Sequence, residues 1–487
     1  MFRHLGIVMC VFHHTGNVRN LAELPHLAVH EGHFVGVLTQ SAASIECLSR
    51  AAQKAARFVF GRLTVAAFVP MQVGSAAGLK PIVMAMTNSA ASHLLPVFAR
   101  VDLGFERGEG AWLISTSGER YLDFTSGVAV NALGHCHPHL IAALQEQATK
   151  LWHMSNLFKS PDGDRLAARL CELSFADFVF FCNSGAEALE CVIKVTRKYH
   201  AAKGHPERYR IVTFEGAFHG RTLATLAATG SAKYLEGFGP PMDGFDQVPH
   251  GDIEAVRKAI GPNTAGILIE PIQGEGGIRS APNAFFRSLR ELCDKHGLLL
   301  AFDEVQTGMG RTGDLFAYKR LGVTPDVMSL AKALGGGFPI GACLATAEAA
   351  SGMTPGSHGS TFGGNPLAIA AANAVLDVML KPGFFDHVQK MSLLLKQKLA
   401  SVVDRYPSVL ADVRGEGLLV GVKAVVPSGD LVNALRDQKL LTVGAGDNVV
   451  RFLAPLIVNE AEIEQSVQML ERACIALSGT ALKKAAG

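Results

Sequence analysis

The sequence predicts an α/β fold in which a mostly parallel sheet is covered by helices on both faces. Of the 487 residues, 48% are hydrophobic and 18% are charged, a balance that suits a folded enzyme with a large core. From about residue 138, short uninterrupted apolar runs alternate with helical patterns. Such runs are typical of strands that are buried on both faces, because half-exposed strands alternate apolar and polar residues.

Composition also limits the partners and the location that we expect. The formal net charge is +2, so neither nucleic acid nor an acidic membrane surface is favoured as a partner. No apolar run approaches the roughly 18 to 20 residues that span a bilayer. The nine cysteines are scattered without a Cys-x-x-Cys pair, which predicts reduced thiols in a cytoplasmic protein.

Residues 1–84 differ from the rest of the chain. They contain three acidic residues, and an apolar stretch after Arg3 faintly resembles a targeting peptide but lacks a convincing cleavage site. We interpret this segment as an extension that is disordered or absent from the native protein, with translation beginning at Met84 or Met86. N-terminal sequencing of the native protein tests that interpretation.

The predicted elements follow in chain order. A hairpin has its turn at Ser117-Gly118, and a Gly-His-Cys-His-Pro turn from Gly134 leads into a helix from about Pro138 to Lys150. Beyond it we predict a helix at 186–201 and strands at 178–182, 210–214, 266–270, 298–302 and 326–330. From about residue 371, two helices precede a small α/β segment with strands near 417–422 and 449–453.

Four segments that follow predicted strands carry residues suited to chemistry. Gly185 and Ala186 begin a helix and can present backbone N–H groups to an anion, although an ordinary helix cap also explains them. Asp303 emerges from an apolar strand and requires a partner, either a protonated pyridine nitrogen or a structural salt bridge. Lys332 precedes three glycines, and a desolvated pocket would make it a nucleophilic amine, whereas a lone lysine is usually a solvated surface group.

The fourth segment, 359–365, is a loop rich in hydroxyl groups and glycine that can hold a phosphate. Singly, each segment has an ordinary explanation. Together they supply the anion site, the acid and the lysine that a pyridoxal 5'-phosphate (PLP) site needs, so we predict that cofactor. By contrast, His135, Cys136 and His137 lack a third ligand at a usual spacing, and we predict no metal.

From about residue 95 to 475 the chain resembles the class III aminotransferases of PLP fold type I, and among them the bacterial acetylornithine aminotransferases. The motifs that carry the resemblance are 105–112, 134–138, 183–188, 218–222, 270–277, 303–313 and Lys332. The resemblance implies a large PLP-binding domain at 136–370. It also implies a smaller α/β domain made from both chain ends, at 85–135 and 371–487.

The resemblance also implies how the cofactor would be held. Lys332 would form the Schiff base, Asp303 would pair with the pyridine nitrogen, and Gln306 would bond near the phenolic oxygen. Thr361 would hold the phosphate in the site of the neighbouring subunit, which implies a homodimer. The residues that the resemblance assigns to the cofactor are Gly185, Ala186, Phe218, Asp303, Glu304, Val305, Gln306, Lys332 and Thr361.

A second set of residues would contact the substrates. Arg451 would clamp a carboxylate, and Glu275 would cover an arginine when no second carboxylate is present. Arg221 and Ser360 match positions that contact acetylornithine, although either arginine can also belong to a structural ion pair. Val128 aligns with a tyrosine of ornithine aminotransferases, and an apolar side chain there favours an acylated α-nitrogen over free ornithine.

The implied reaction transfers the terminal amine of N-acetylornithine to 2-oxoglutarate and yields N-acetylglutamate 5-semialdehyde and glutamate, in arginine biosynthesis. Succinylornithine, succinyl-diaminopimelate, ornithine and 4-aminobutyrate remain alternative donors. An intramolecular PLP aminomutase is a second possibility, which activity without 2-oxoglutarate would indicate. A non-catalytic paralogue is a third, although the presence of Lys332 and Asp303 argues against it.

Overall fold

The computed structural model describes the backbone of residues 7–12, 27–30, 33–39 and 93–485. The chain divides into two units, Met1–Ala99 and Arg100–Gly487. In the first unit, three strands form an antiparallel sheet in the order Ile7–Phe12, His33–Thr39 and Leu27–His30. Most of the predicted extension, including both proposed start methionines, lies outside the described residues.

A seven-stranded sheet forms the centre of the second unit. Its strands lie in the order Phe178–Cys182, Gly341–Ala345, Val327–Leu330, Leu299–Asp303, Thr264–Ile269, Arg210–Phe214 and Phe245–Val248. Gly341–Ala345 pairs antiparallel with both of its neighbours, and the other pairs are parallel. The predicted α/β fold with a mostly parallel sheet is therefore confirmed.

Two strands of this sheet were not predicted from the sequence. Phe245–Val248 lies at the edge of the sheet and contains aspartate and glutamine, so it lacks the apolar run of its neighbours. Gly341–Ala345 is fully buried but consists of small residues after a glycine run, without a β-branched side chain. Neither segment therefore carries the usual composition of a strand.

Helices cover both faces of the sheet. Leu300 and Phe302 pack into one hydrophobic cluster, whereas Leu299 and Ala301 pack into another, as the alternation of side chains along a strand requires. The first cluster includes residues of the helices Pro161–Leu173, Asn283–His296 and Pro366–Met379. The second includes residues of Gly185–Ala202 and Leu223–Thr229. Other helices of this unit, two of which are 3-10 helices, are Ser126–Ala129, Pro138–Ala148, Ala232–Leu235, Ile253–Ala259, Tyr318–Leu321, Lys332–Leu334 and Ala349–Gly352.

The second unit also has two four-stranded sheets and a two-stranded antiparallel sheet of Ile272–Gln273 and Arg279–Ser280. The first has the order Leu440–Leu441, Arg120–Asp123, Trp112–Ser115 and Phe105–Glu109, so segments distant in the chain share one sheet. Its predicted turn is present, with the Gly118 N–H donating to the Ser115 carbonyl at 2.8 Å. The second sheet is antiparallel and has the order Leu410–Glu416, Leu419–Ala424, Val449–Phe452 and Val443–Ala445.

Three further helices pack with the second small sheet: Phe384–Arg405, Ser428–Asp437 and Glu460–Ala485. Their buried residues, such as Leu395 and Leu431, join the same cluster as Val422 of the sheet. Among the described helices, none by itself is long and apolar enough to cross a membrane. The seven cysteines whose side chains are described are all free thiols.

Candidate active site

A cavity of about 420 Å³ lies at the carboxyl ends of the parallel strands. Open α/β sheets bind their ligands at this edge, because the loops that leave the strands there surround a crevice. Nine predicted site residues line the cavity: Gly185, Ala186, Phe218, Arg221, Glu275, Asp303, Val305, Gln306 and Lys332. The fold therefore brings together side chains from segments that are far apart in the sequence.

Asp303 ends a central strand and its carboxylate is held on both oxygens. Oδ1 accepts hydrogen bonds from the Val305 N–H at 3.0 Å and the Ser329 hydroxyl at 3.2 Å. Oδ2 lies 2.8 Å from Nδ1 of His219. Among the described residues Asp303 has no lysine or arginine partner, and it is 4% exposed. A fixed, buried carboxylate in a cavity wall is suited to bind a cationic group there.

His219 is a site residue that the sequence reasoning missed. It is 2% exposed, its ring lines the cavity beside Asp303, and its Nε2 has no hydrogen-bond partner among the described residues. We expect it to orient the Asp303 carboxylate in the way that a second group commonly orients a functional one. Its position directly after Phe218 in a recognised motif was the available signal.

Lys332 follows the strand Val327–Leu330 and is half-buried in the cavity wall. Burial lowers the pKa of its amine to about 8, the charge of Arg451 acts in the same direction, and the carboxylates of Glu275 and Asp303 oppose the shift. Its backbone φ is +45°, in the left-handed region that a non-glycine residue rarely adopts. An amine with a lowered pKa is available as a nucleophile nearer neutral pH than an ordinary lysine.

The amino terminus of the helix Gly185–Ala202 lies at one end of the cavity and is a candidate anion site. The Ser184 side chain caps the helix by accepting the Glu187 N–H, whereas the N–H groups of Gly185 and Ala186 have no acceptor in the described part of the chain. A Cβ at Gly185 would lie 2.8 Å from Cγ1 of Val305, so only glycine fits there. Free amides at the positive end of an 18-residue helix are suited to a phosphate.

Arg451 and Glu275 form an ion pair beside the lysine. Arg451 lies on the strand Val449–Phe452 and is 1% exposed, and its Nη1 donates to Oε1 of Glu275 at 2.5 Å. Nη2 donates to the Gly444 carbonyl at 3.0 Å, and Nε has no partner among the described residues. Glu275 is 28% exposed, so the acid, unlike the arginine, has room to move.

Arg221 provides a second cation at the cavity. Its guanidinium carbon lies 3.9 Å from the ring centroid of Tyr234 and 5.5 Å from that of Phe218. Arg221 itself is exposed, so its remaining donors face solvent and the cavity mouth. Arg221 is therefore an exposed guanidinium at the cavity, whereas the buried guanidinium of Arg451 lies behind Glu275 of the cavity wall.

Glu270 is a second missed residue of the cavity wall. Its carboxyl accepts the Phe218 N–H at 3.0 Å and is 6% exposed. Burial and the neighbouring charge of Asp303 raise its pKa well above the ordinary range, although the bond from Phe218 opposes this. Glu270 therefore holds a proton more readily than an ordinary glutamate does.

Five predicted residues do not line this cavity: Arg451, which pairs with Glu275 of the cavity wall, and Val128, Glu304, Ser360 and Thr361. The Glu304 carboxylate instead accepts the N–H groups of Ala317 and Tyr318 at 2.7 and 2.8 Å. It is therefore directed away from the cavity in which the cofactor would lie. Val128 has a φ of +65° and packs near Ile272, whereas Val130 lines the cavity in its place.

The loop 359–365 lies beside the helix that begins at Gly185. Ser360 accepts a hydrogen bond from the Asn183 side chain at 3.2 Å, and Thr361 is exposed. Neither residue lines the cavity of its own chain. Their placement at the surface is compatible with a role in the site of a second subunit.

The family model for class-III aminotransferases matches residues 98–474. Acetylornithine aminotransferase 1 of Bradyrhizobium diazoefficiens is 84% identical over 82% of this chain and 99% of its own length. Acetylornithine aminotransferase of Agrobacterium fabrum is 61% identical over 81% of this chain and 99% of its own.

Solved structures are similar as well. N-acetylornithine aminotransferase from Stenotrophomonas maltophilia is 38% identical with a TM-score of 0.69, over 79% of this chain and 98% of that one. Ornithine aminotransferase from Toxoplasma gondii is 31% identical with a TM-score of 0.77, over 80% of this chain and 94% of that one.

Proposed function

Because the chain belongs to the class-III aminotransferases, we propose that it transfers the terminal amine of N-acetylornithine to 2-oxoglutarate, using PLP. The products would be N-acetylglutamate 5-semialdehyde and glutamate, a step of arginine biosynthesis in the cytoplasm. The observation that carries the proposal is one cavity lined by Lys332, the buried carboxylate of Asp303 and Glu275, whose carboxylate covers the buried Arg451. The acetylornithine aminotransferases that resemble the chain support this donor.

The residues of the cavity fit PLP. The free amides of Gly185 and Ala186 suit its phosphate, Asp303 suits its ring nitrogen, and Lys332 suits its aldehyde carbon. The side chains of Phe218 and Val305 would pack on the ring, and Gln306 would contact the phenolic oxygen. When bound, PLP supplies an electron-accepting ring that stabilises negative charge on the carbon that carries the amine.

Lys332 would move the proton in this reaction. When it is not bonded to the cofactor, its Nζ would serve as a base, because the lowered pKa favours the unprotonated form. It would take the proton from the substrate carbon that carries the amine and deliver it to the carbon on the other side of the amine nitrogen. Burial excludes water that would otherwise compete for that proton.

Arg451 and Glu275 would let one cavity serve two substrates. While the amino donor occupies the site, Glu275 covers Arg451 and neutralises its charge. When 2-oxoglutarate enters, Arg451 would bind its carboxylate in bidentate fashion, and the half-exposed Glu275 would move aside. Since both substrates use one cavity in turn, we expect ping-pong kinetics with parallel double-reciprocal lines.

The wall of the cavity favours an acylated donor. Val130, Phe338 and Ile340 line it without a hydroxyl group that could hold a free α-amino group. The test is a panel of donors assayed with purified protein, PLP and 2-oxoglutarate, with glutamate formation as the readout. The proposal expects the highest kcat/KM for N-acetylornithine, and a higher value for ornithine or 4-aminobutyrate would overturn it.

We also propose that the active unit is a homodimer in which Thr361 serves the site of the partner. Exposed apolar residues lie in the segment 151–158, among them Leu157 at 89% and Phe158 at 70% exposure. Asn156 of this segment donates to the carbonyls of Ser360 and Gly363, beside the loop that carries Thr361. An apolar patch next to an incomplete phosphate loop supports a second copy as its cover. Light scattering that finds a monomer would overturn this.

A further inference from the structure

Arg311 is a fully buried arginine without an acidic partner. It is 0% exposed, and no carboxylate in the described part of the chain lies within ion-pair distance of it. Burial alone lowers its pKa to about 9. Its Nε and Nη2 have no hydrogen-bond partner among the described residues. Burying such a group costs several kcal/mol, so an apolar side chain would stabilise the fold more, unless the arginine has another role.

The remaining nitrogen of Arg311 holds two strands at once. Its Nη1 donates to the carbonyls of Leu418 at 3.1 Å and Ala454 at 2.5 Å, and the Arg311 carbonyl accepts the Leu418 N–H at 2.9 Å. Leu418 directly precedes the strand Leu419–Ala424, and Ala454 lies two residues beyond the strand Val449–Phe452. Arg311 therefore contacts the same end of two neighbouring strands.

Those two strands carry the substrate arginine. They pair antiparallel, and Arg451 lies opposite Gly421 in their register. The distance along the chain from Arg451 to the Ala454 carbonyl is only three residues. A shift of that carbonyl therefore moves the backbone that carries the Arg451 side chain.

Arg311 also belongs to the loop that follows Asp303. Gly417 packs so closely on this loop, at a φ of +59°, that a Cβ there would lie 2.3 Å from the backbone carbon of Thr312. Near the start of the loop, Glu304 accepts the N–H groups of Ala317 and Tyr318. The loop therefore continues directly from the strand Leu299–Asp303, and it is also fixed to the strand that carries Arg451 and to the strand paired with it.

We propose that Arg311 is a positioning residue that sets the place of Arg451 relative to Asp303 and Lys332, and thereby the affinity for the dicarboxylate substrate. This inference rests on the proposed function, because it assigns the carboxylate of 2-oxoglutarate to Arg451. The Nη1 of Arg311, at the end of a long side chain and with two N–H groups, spans the two carbonyls. A lysine would reach one of them, and a methionine neither.

The test compares Arg311→Met and Arg311→Lys with the wild-type holoenzyme and with Arg290→Met as a matched control. Arg290 is a partly buried arginine of the helix Asn283–His296 that, unlike Arg311, has acidic partners, Asp294 and Asp326, and does not touch the strands of Arg451. Three quantities are measured: the melting temperature, KM for both substrates, and the calorimetric affinity for glutarate, a dicarboxylate that cannot accept an amine.

Arg311→Met is expected to raise KM for 2-oxoglutarate and to weaken glutarate binding about tenfold each, with KM for the amino donor within about twofold of wild type. Arg311→Lys is expected to recover part of the loss. Arg290→Met is expected to lower the melting temperature without changing either affinity for a dicarboxylate.

Unchanged glutarate affinity in a folded Arg311→Met variant would overturn the proposal, as would an equal rise of KM for both substrates. If Arg311→Met does not fold, Arg311→Lys decides by the same measurements. Glutarate binding does not depend on which amino donor the enzyme uses. A wild type that is inactive with N-acetylornithine would therefore contradict the proposed function and leave the role of Arg311 open to its own test.

Discussion

Asp303 and Glu304 are adjacent acids with almost the same burial, 4% and 1% exposed, yet they have different surroundings. Asp303 faces the cavity and contacts His219, whereas Glu304 accepts two backbone N–H groups of the following loop. Successive side chains of an extended segment point to opposite faces, so one of two neighbours enters the cavity and the other does not. Residue type and position in a motif therefore do not identify a site residue until the direction of its side chain is known.

The sharpest test of this comparison is Asp303→Asn. We expect kcat/KM to fall about a thousandfold or more, because an amide cannot hold a proton on the ring nitrogen of the cofactor. The side chain can still accept from Val305 and Ser329, so the melting temperature should change little. Steady-state kinetics and a thermal melt check this. Retention of a tenth of the wild-type kcat/KM would contradict the role given to Asp303.

Glu275→Gln tests the role of Glu275, which lines the cavity together with Asp303 and Glu270. A neutral amide pairs more weakly with Arg451, so 2-oxoglutarate should compete for the arginine more easily. We expect KM for 2-oxoglutarate to fall and KM for the amino donor to rise, about tenfold in their ratio. Steady-state measurements with both substrates give that ratio. The cover role assigned to Glu275 fails if the ratio stays constant.

Glu304→Gln should affect stability rather than chemistry. Burial raises the pKa of Glu304 to about 7 in the folded protein, above its ordinary value of 4.5. The folded state then binds more protons than the unfolded state between these values, so the contribution of this carboxyl to stability is lost as pH rises from about 4.5 through 7.

The glutamine variant should lack that dependence. Its free energy of unfolding, relative to wild type, should rise by on the order of 2 kcal/mol across this window. Denaturant titrations at several pH values measure it, and kcat at neutral pH should remain within about threefold of wild type. A loss of activity as large as that of Asp303→Asn would instead indicate that Glu304 contacts the cofactor.

The smallest expected effect is a change in donor preference on substitution of Val130 or Val128. Val130→Tyr places a phenol in the cavity and should lower kcat/KM for N-acetylornithine relative to ornithine several-fold, because a hydroxyl suits a free α-amino group. Val128→Tyr, the matched control, should change this preference less, since Val128 packs outside the cavity. The opposite ranking in a two-donor assay would favour Val128, as the sequence resemblance did.

The sequence predicted the main sheet well because its central strands are uninterrupted apolar runs between helices. The glycine- and alanine-rich strand Gly341–Ala345 was missed, because its burial depends on neighbours that are distant in the chain. The nine predicted site residues that line the cavity all lie in motifs that the sequence analysis recognised. His219 and Glu270 also lie in such motifs and Val130 lies outside them, but all three were missed, because only the folded backbone decides which of several neighbouring side chains enters the cavity.

The most direct test of the account is the site of covalent attachment of the cofactor. Wild-type protein loaded with PLP is reduced with borohydride, digested and analysed by mass spectrometry, with Lys332→Ala treated in parallel. We expect the peptide that contains Lys332 to carry the cofactor in the wild type and no peptide to carry it in the variant. Labelling of another lysine in the wild type, or of none, would contradict the role of this buried amine.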